Sequence, residues 1–258
     1  MGRRRIHQNP SMIYPGEAKS RVPLPITEEE RHAILSVAKC VSMVCIEDGG
    51  TDSSKRQYRF GTAFWISETR LLTACHIITD AGAKLNNIKV RVSPPCLSHV
   101  DPQILLRREM PSVECTVVAR SHRDLIPDQI SNYRDVAILD AGSYRPTQGN
   151  WLSLAAQIPS PTSTISVLGF PGYITPQWII AHEGLNDRWR GQSTAESLLP
   201  TGHLTVTRGV AHESSGSIFR YNISTCMGMS GGCVLVEGQV VGKSISAETY
   251  YRHPRRPT

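Results

Sequence analysis

Gly228-Met229-Ser230-Gly231-Gly232-Cys233-Val234-Leu235-Val236-Glu237-Gly238-Gln239-Val240-Val241 is the stretch on which the fold decision rests. Its first five residues set a serine between glycines, which offers a hydroxyl nucleophile beside unobstructed backbone N–H donors. The remainder sets apolar runs on either side of Glu237-Gly238 and reads as a β-hairpin. A serine needs a base. Leu72-Thr73-Ala74-Cys75-His76 supplies one, and it follows a strand-like apolar stretch, Gly61-Thr62-Ala63-Phe64-Trp65-Ile66. An acid comes from Tyr133-Arg134-Asp135-Val136-Ala137-Ile138-Leu139, where a carboxylate stands at the mouth of a β-branched apolar run.

Gly228-x-Ser230-x-Gly232 also satisfies the nucleophile-elbow pattern of α/β-hydrolases, so the pentapeptide does not choose a fold. Chain order does. An elbow needs its acid and histidine after the serine and a helix directly behind it. No aspartate follows Ser230, and a hairpin pattern stands where the helix is required. His76, Asp135 and Ser230, in that order, fit a double β-barrel instead.

The chain resembles a trypsin-like serine protease over roughly residues 36–247, and three motifs carry the likeness. Thr73-Ala74-Cys75-His76 resembles T-A-A-H, Asp135-Val136-Ala137-Ile138-Leu139 resembles D-[IV]-A-[LI]-L, and Gly228 to Gly232 resemble G-[DN]-S-G-G. The resemblance implies an all-β fold of two antiparallel six-stranded β-barrels, chymotrypsin-like, with an N-terminal extension and short helices. It implies His76 as general base, Asp135 as the acid that fixes its tautomer, and Ser230 as nucleophile of an endopeptidase that passes through an acyl-enzyme. An imidazole ordinarily titrates near 6.5, which suits a base working at neutral pH. The oxyanion hole would be the backbone N–H groups of Gly228 and Ser230. Taken singly, His76 also reads as a core histidine, Asp135 as a strand-opening turn residue and Ser230 as a turn serine. Asp124, Asp128 and Asp140 are rival acids, but none has such an apolar run directly behind it.

Several residues depart from the secreted branch of that family. Met229 stands where an aspartate would pair with a new N-terminus, and a thioether forms no ion pair. The oxyanion loop is then held by packing or by an activating protein partner. Cys75 replaces the usual alanine before the histidine, no cysteine follows closely, and Cys226 has no partner in the expected place. The 7 cysteines show no metal-type spacing and read as reduced, buried and small. Neither a metal nor a cofactor is expected. No signal peptide is expected, since no apolar h-region follows Met1-Gly2-Arg3-Arg4-Arg5-Ile6-His7, and no stretch reaches the roughly 20 apolar residues of a membrane span. These features point to an intracellular, cytoplasmic enzyme of a disulfide-free branch, with organelle targeting by the first 25 residues left open.

The resemblance places the specificity pocket at Ser224, Thr225 and Met227 on one side and Ser244, Ile245 and Ser246 on the other. Such a pocket is uncharged and accepts small, apolar or hydrogen-bonding side chains of a protein or peptide substrate. Strand alternation turns Lys243 toward solvent; an inward ammonium would instead favour acidic side chains.

At 258 residues the chain is long enough to bury a core without disulfides. The expected organisation is an extension with a short helix capped at Thr27 over 1–35, a barrel over 36–141, a linker over 142–163, a second barrel over 164–247 and a basic tail over 248–258. First-barrel strands are expected at 38–46, 58–66, 70–73, 88–92, 114–120 and 136–140, with loops at 93–110 and 121–133. Second-barrel strands are expected at 164–169, 178–182, 202–207, 217–224, 233–236 and 239–246. The net charge of +6 gathers at Arg3-Arg4-Arg5 and Arg252 to Arg256. Solvated tails explain it, and no specific nucleic-acid binding is expected. A catalytically latent or inactive module acting in protein interaction or signalling is the alternative reading.

Overall fold

Thr27 opens the first helix with a reciprocal cap: its hydroxyl accepts from Glu30 N at 3.1 Å, and Glu30 Oε2 accepts from Thr27 N at 3.1 Å. Two amide donors that a helix start leaves open are thereby satisfied. In the computed structural model, the residues described are 7–9, 26–48, 57–78, 88–123, 134–147, 149–155, 159–172, 200–215, 218–221 and 228–244. The capped helix, α1 (Glu28–Ala38), buries Ile34, Val37 and Ala38. It runs through Ala38, so the following strand, β2 (Val41–Asp48), begins later than expected.

Five more strands join β2: β3 (Gln57–Trp65), β4 (Arg70–Thr73), β5 (Ile88–Val92), β6 (Val113–Arg123) and β7 (Arg134–Asp140). They close a barrel in the order β2-β3-β4-β7-β6-β5, every neighbour antiparallel. Alternation explains why these strands look continuously apolar in sequence. Val44, Ile46, Ala63, Trp65, Leu71 and Leu139 share one core, while Met43, Cys45, Phe64 and Leu72 face a second. Successive side chains point to opposite faces, so a strand buried on both faces has no polar stripe.

That second core is where the molecule is joined. It gathers α1 through Ile34 and Val37, the barrel exterior through Met43 and Phe64, and a second sheet through Leu168, Val206, Leu235 and Val240. The second sheet is built from β8 (Thr164–Gly169), β9 (Thr205–Ser215), β10 (Ile218–Tyr221), β11 (Cys233–Val236) and β12 (Gln239–Lys243). Its order is β9-β8-β11-β12, with β10 against β9 and a further strand on the outer edge of β9. The strand β1 (His7–Asn9) pairs parallel with Thr205 to Thr207, inside the segment expected to be a plain tail. Among the described residues this sheet does not close on itself. The strand expected at 178–182 lies outside the described residues, and β9 begins later and runs farther than the expected 202–207.

A further helix, α3 (Pro102–Arg107), stands in the expected loop 93–110, with Asp101 accepting from Gln103 N at 2.8 Å. An aspartate before a proline is a helix-start signal, because proline has no N–H to leave unsatisfied in the first turn. Residues 149–155 tie the barrel to the second sheet: Leu152 N donates to Trp65 O and Ala155 N to Val240 O, each at 2.8 Å.

Candidate active site

Strands β4 and β7 pair Thr73 with Ala137 at one end of the barrel. His76 lies three residues beyond Thr73, on the short helix α2 (Cys75–Ile78), and Asp135 lies two residues before Ala137. Antiparallel pairing therefore delivers both to the same rim. Asp135 Oδ2 sits 2.8 Å from His76 Nδ1, and Asp135 Oδ1 accepts the His76 backbone N–H at 2.7 Å. Ring and main chain are thus gripped by one carboxylate. The Asp135 side chain is fully buried, whereas that of His76 is 30 % exposed, so the pair stands at the boundary between core and solvent.

Burial pushes the Asp135 carboxyl up, but the His76 hydrogen bond, the Lys243 charge and the His76 charge together outweigh it and hold the group at about 2. The acid is ionised throughout the neutral range.

The turn bearing Ser230 is seated on the segment leading to His76. Ser230 O accepts from Thr62 N at 2.9 Å, and a Cβ at Gly231 would run into Thr62 O, stand 2.5 Å from Thr73 Oγ1 and 2.9 Å from Ala74 N. Gly231, with φ of 84°, allows that approach. Gly228, with φ of 87°, is packed as closely on the other side, since a Cβ there would collide with Gly172 N and stand 2.6 Å from Phe170 O.

Thr62 was not singled out by the sequence, yet it is the hub of this region. Its hydroxyl donates to Gly228 O at 2.7 Å and accepts from Phe170 N at 2.9 Å, and its carbonyl accepts from Thr73 Oγ1 at 2.7 Å. The one signal was a hydroxyl inside an otherwise apolar strand, because a buried polar side chain needs partners. Met229 is fully buried, with Gly169 beside it leaving the space that a side chain would crowd.

Lys243 departs from the expectation that it faces solvent. Its side chain is 8 % exposed and its Nζ lies 3.2 Å from Asp135 Oδ2. The cause is a β-bulge: Val234 pairs with Gly242 but Leu235 pairs with Val240, leaving Val241 as an extra residue in β12. One extra residue resets the inward and outward alternation downstream. Burial draws the Lys243 ammonium below the ordinary lysine range, opposed by the Asp135 charge and hydrogen bond.

Ser244 is fully buried, with its Oγ 2.8 Å from Tyr221 OH. Ser224, Thr225, Met227, Ile245 and Ser246 lie outside the described residues. The six cysteines among the described residues are free thiols, and burial pushes Cys40, Cys45 and Cys115 up to about 12, which leaves them protonated. No group of three or more His, Cys, Asp or Glu gathers to hold a metal among the described residues, and none of their helices is long and apolar enough to cross a membrane.

A search of the curated proteins finds no match to the chain. The family model for the trypsin-like peptidase domain matches residues 61–242, a span that runs from the strand bearing Thr62 through His76, Asp135 and Ser230 to the hairpin behind the serine. The chain belongs to the trypsin-like peptidase domain family, with the protease-type action on protein substrates that this membership carries.

Proposed function

We propose that the protein is a serine endopeptidase whose nucleophile is Ser230, whose general base is His76 and whose orienting acid is Asp135. The observation that carries this reading is the double grip of Asp135 on His76, ring and backbone, at 2.8 and 2.7 Å. A carboxylate on Nδ1 fixes the tautomer that leaves Nε2 able to accept a proton. As Ser230 Oγ attacks the peptide carbonyl, His76 takes its proton and then delivers it to the leaving amine. Water, activated by the same imidazole, hydrolyses the acyl-enzyme. Gly228 and Ser230 N–H groups hold the oxyanion, each such donor contributing on the order of 3 kcal/mol to the transition state.

Activation needs no inserted N-terminus in this scheme. The buried Met229 and the Thr62 hydroxyl tie the oxyanion loop from inside, which favours a constitutively formed site over a latent module. The second sheet is read as part of a second antiparallel barrel facing the first across the cleft. Ser224, Thr225, Met227, Ser244, Ile245 and Ser246 are proposed as an uncharged specificity pocket. The Lys243 ammonium is engaged by Asp135, so the feature that would have favoured acidic side chains serves the triad instead. The compartment proposed is intracellular.

Profiling cleavage across a peptide library with wild type and Ser230→Ala tests this. Cleavage after small or apolar residues that vanishes in Ser230→Ala supports the reading. Equal cleavage by both proteins removes Ser230 as nucleophile.

A further inference from the structure

Lys243 reaches the triad from outside the barrel that holds it. It comes from β12 in the second sheet, whereas Asp135 comes from β7 in the barrel, so the 3.2 Å contact is also a bond between the two units. Both side chains are removed from water, Lys243 at 8 % exposure and Asp135 at none. A buried ammonium is costly unless paired, and this one is paired with the same oxygen, Oδ2, that meets His76 Nδ1. Among the described residues, Asp135 therefore meets both the Lys243 ammonium and an imidazolium when His76 is protonated, and the ammonium without a second charge on the ring when His76 is neutral.

We propose that Lys243 is a positioning and charge-balancing residue of the active site, holding Asp135 at the same oxygen that meets His76 and making protonation of the imidazole less favourable. The physical reason is direct. A lone carboxylate stabilises an imidazolium, but a carboxylate already neutralised by an ammonium does so less, and the ammonium itself repels the second positive charge. The base thus stays neutral, and usable, to lower pH than an unassisted Asp–His pair would allow.

Other charged and titratable groups stand on the elements packed around α2. Helix α2 packs on β3, β6 and β7. From β3, Arg59 donates to Ile78 O at 3.1 Å, at the far end of the helix. On β6, Arg120 lies opposite Ala137 and His122 opposite Asp135 in register; on β7, Asp140 is paired with Arg70 at 2.8 Å. On α2 itself, the other titratable group is the buried Cys75 thiol.

The catalytic consequence rests on the peptidase reading, so one readout is independent of turnover. The pH at which the His76 ring signals change is followed by NMR in wild type, Lys243→Met and Lys243→Gln, and the acid limb of kcat/KM is measured for the same proteins. Both substitutions remove the charge, and Gln keeps a donor. The proposal expects the NMR transition and the acid limb to move up together by roughly one pH unit in both variants. Unmoved ring signals in both variants overturn it. Ring signals moved in Lys243→Met but not in Lys243→Gln also overturn it, because the hydrogen bond rather than the charge would then matter. If the ring signals shift while no protein cleaves peptides, the charge role of Lys243 stands and the peptidase reading fails.

Discussion

Asp135 holds His76 twice, accepting its ring Nδ1–H at 2.8 Å and its backbone N–H at 2.7 Å. Helix and imidazole are consequently fixed by a single buried group, and both the chemistry and the acid stability of the protein should depend on it.

In Asp135→Asn, the amide NH2 that replaces one oxygen cannot accept from Nδ1–H, so the ring is driven to the tautomer with a proton on Nε2. That tautomer cannot take the serine proton. We expect kcat to fall by about 10³- to 10⁴-fold with KM little changed, measured by steady-state cleavage of the best library peptide.

Asp135 is held at about 2, below its ordinary 3.8. A depressed carboxylate favours the folded state above the unfolded value and loses that advantage as pH falls through the folded one. The gap corresponds to about 2 kcal/mol, fully present near neutral pH and mostly gone at about pH 2. Urea unfolding of wild type and Asp135→Asn across acid pH should show their stability difference shrinking by that amount. A constant difference would mean that the carboxylate is not held in this way.

Thr62→Val keeps the shape of the strand and deletes a hydroxyl that serves Gly228 O and Phe170 N. A buried N–H without an acceptor costs roughly 1 to 3 kcal/mol. The variant should unfold at correspondingly lower urea and lose at least about tenfold in kcat, because the loop that carries Gly228 is no longer tied. Thr62→Ser should recover most of both.

Glu30 caps α1 and also takes Arg208 of β9, whose Nη2 lies 2.9 Å from each carboxylate oxygen. The Arg208 side chain is 8 % exposed. Glu30→Ala takes a bidentate partner from that buried charge and removes half of the capping box, with an expected loss of about 3 kcal/mol by chemical denaturation. Arg208→Met should cost less, since it removes the buried charge itself and leaves the more exposed Glu30 its bond to Thr27 N.

Short apolar runs between turn signals were readable in advance. Strands β4, β5, β8 and β11 fall where such runs and their flanking turn residues put them. His76 and Asp135 also come together as their motifs imply. What escaped the sequence depends on contacts between distant segments. His7-Gln8-Asn9 carries no apolar alternation, and only the free edge of β9 makes it a strand. The start of α3 was written in Asp101-Pro102, but the Pro- and Ser-bearing run before it reads as loop. Lys243 turned inward because of a bulge at Val241, and no local pattern announces a one-residue register change. Thr62 became a hub only when β3, the Gly228 turn and Phe170 met.

The most direct measurement is mass spectrometry of the protein after treatment with a serine-directed fluorophosphonate. A single adduct on Ser230, absent in Ser230→Ala and in His76→Ala, is the predicted result, because only a serine with a working base attacks phosphorus at useful rates. Folded wild-type protein that takes no adduct at Ser230, or a His76→Ala variant that labels as fast as wild type, would contradict the account.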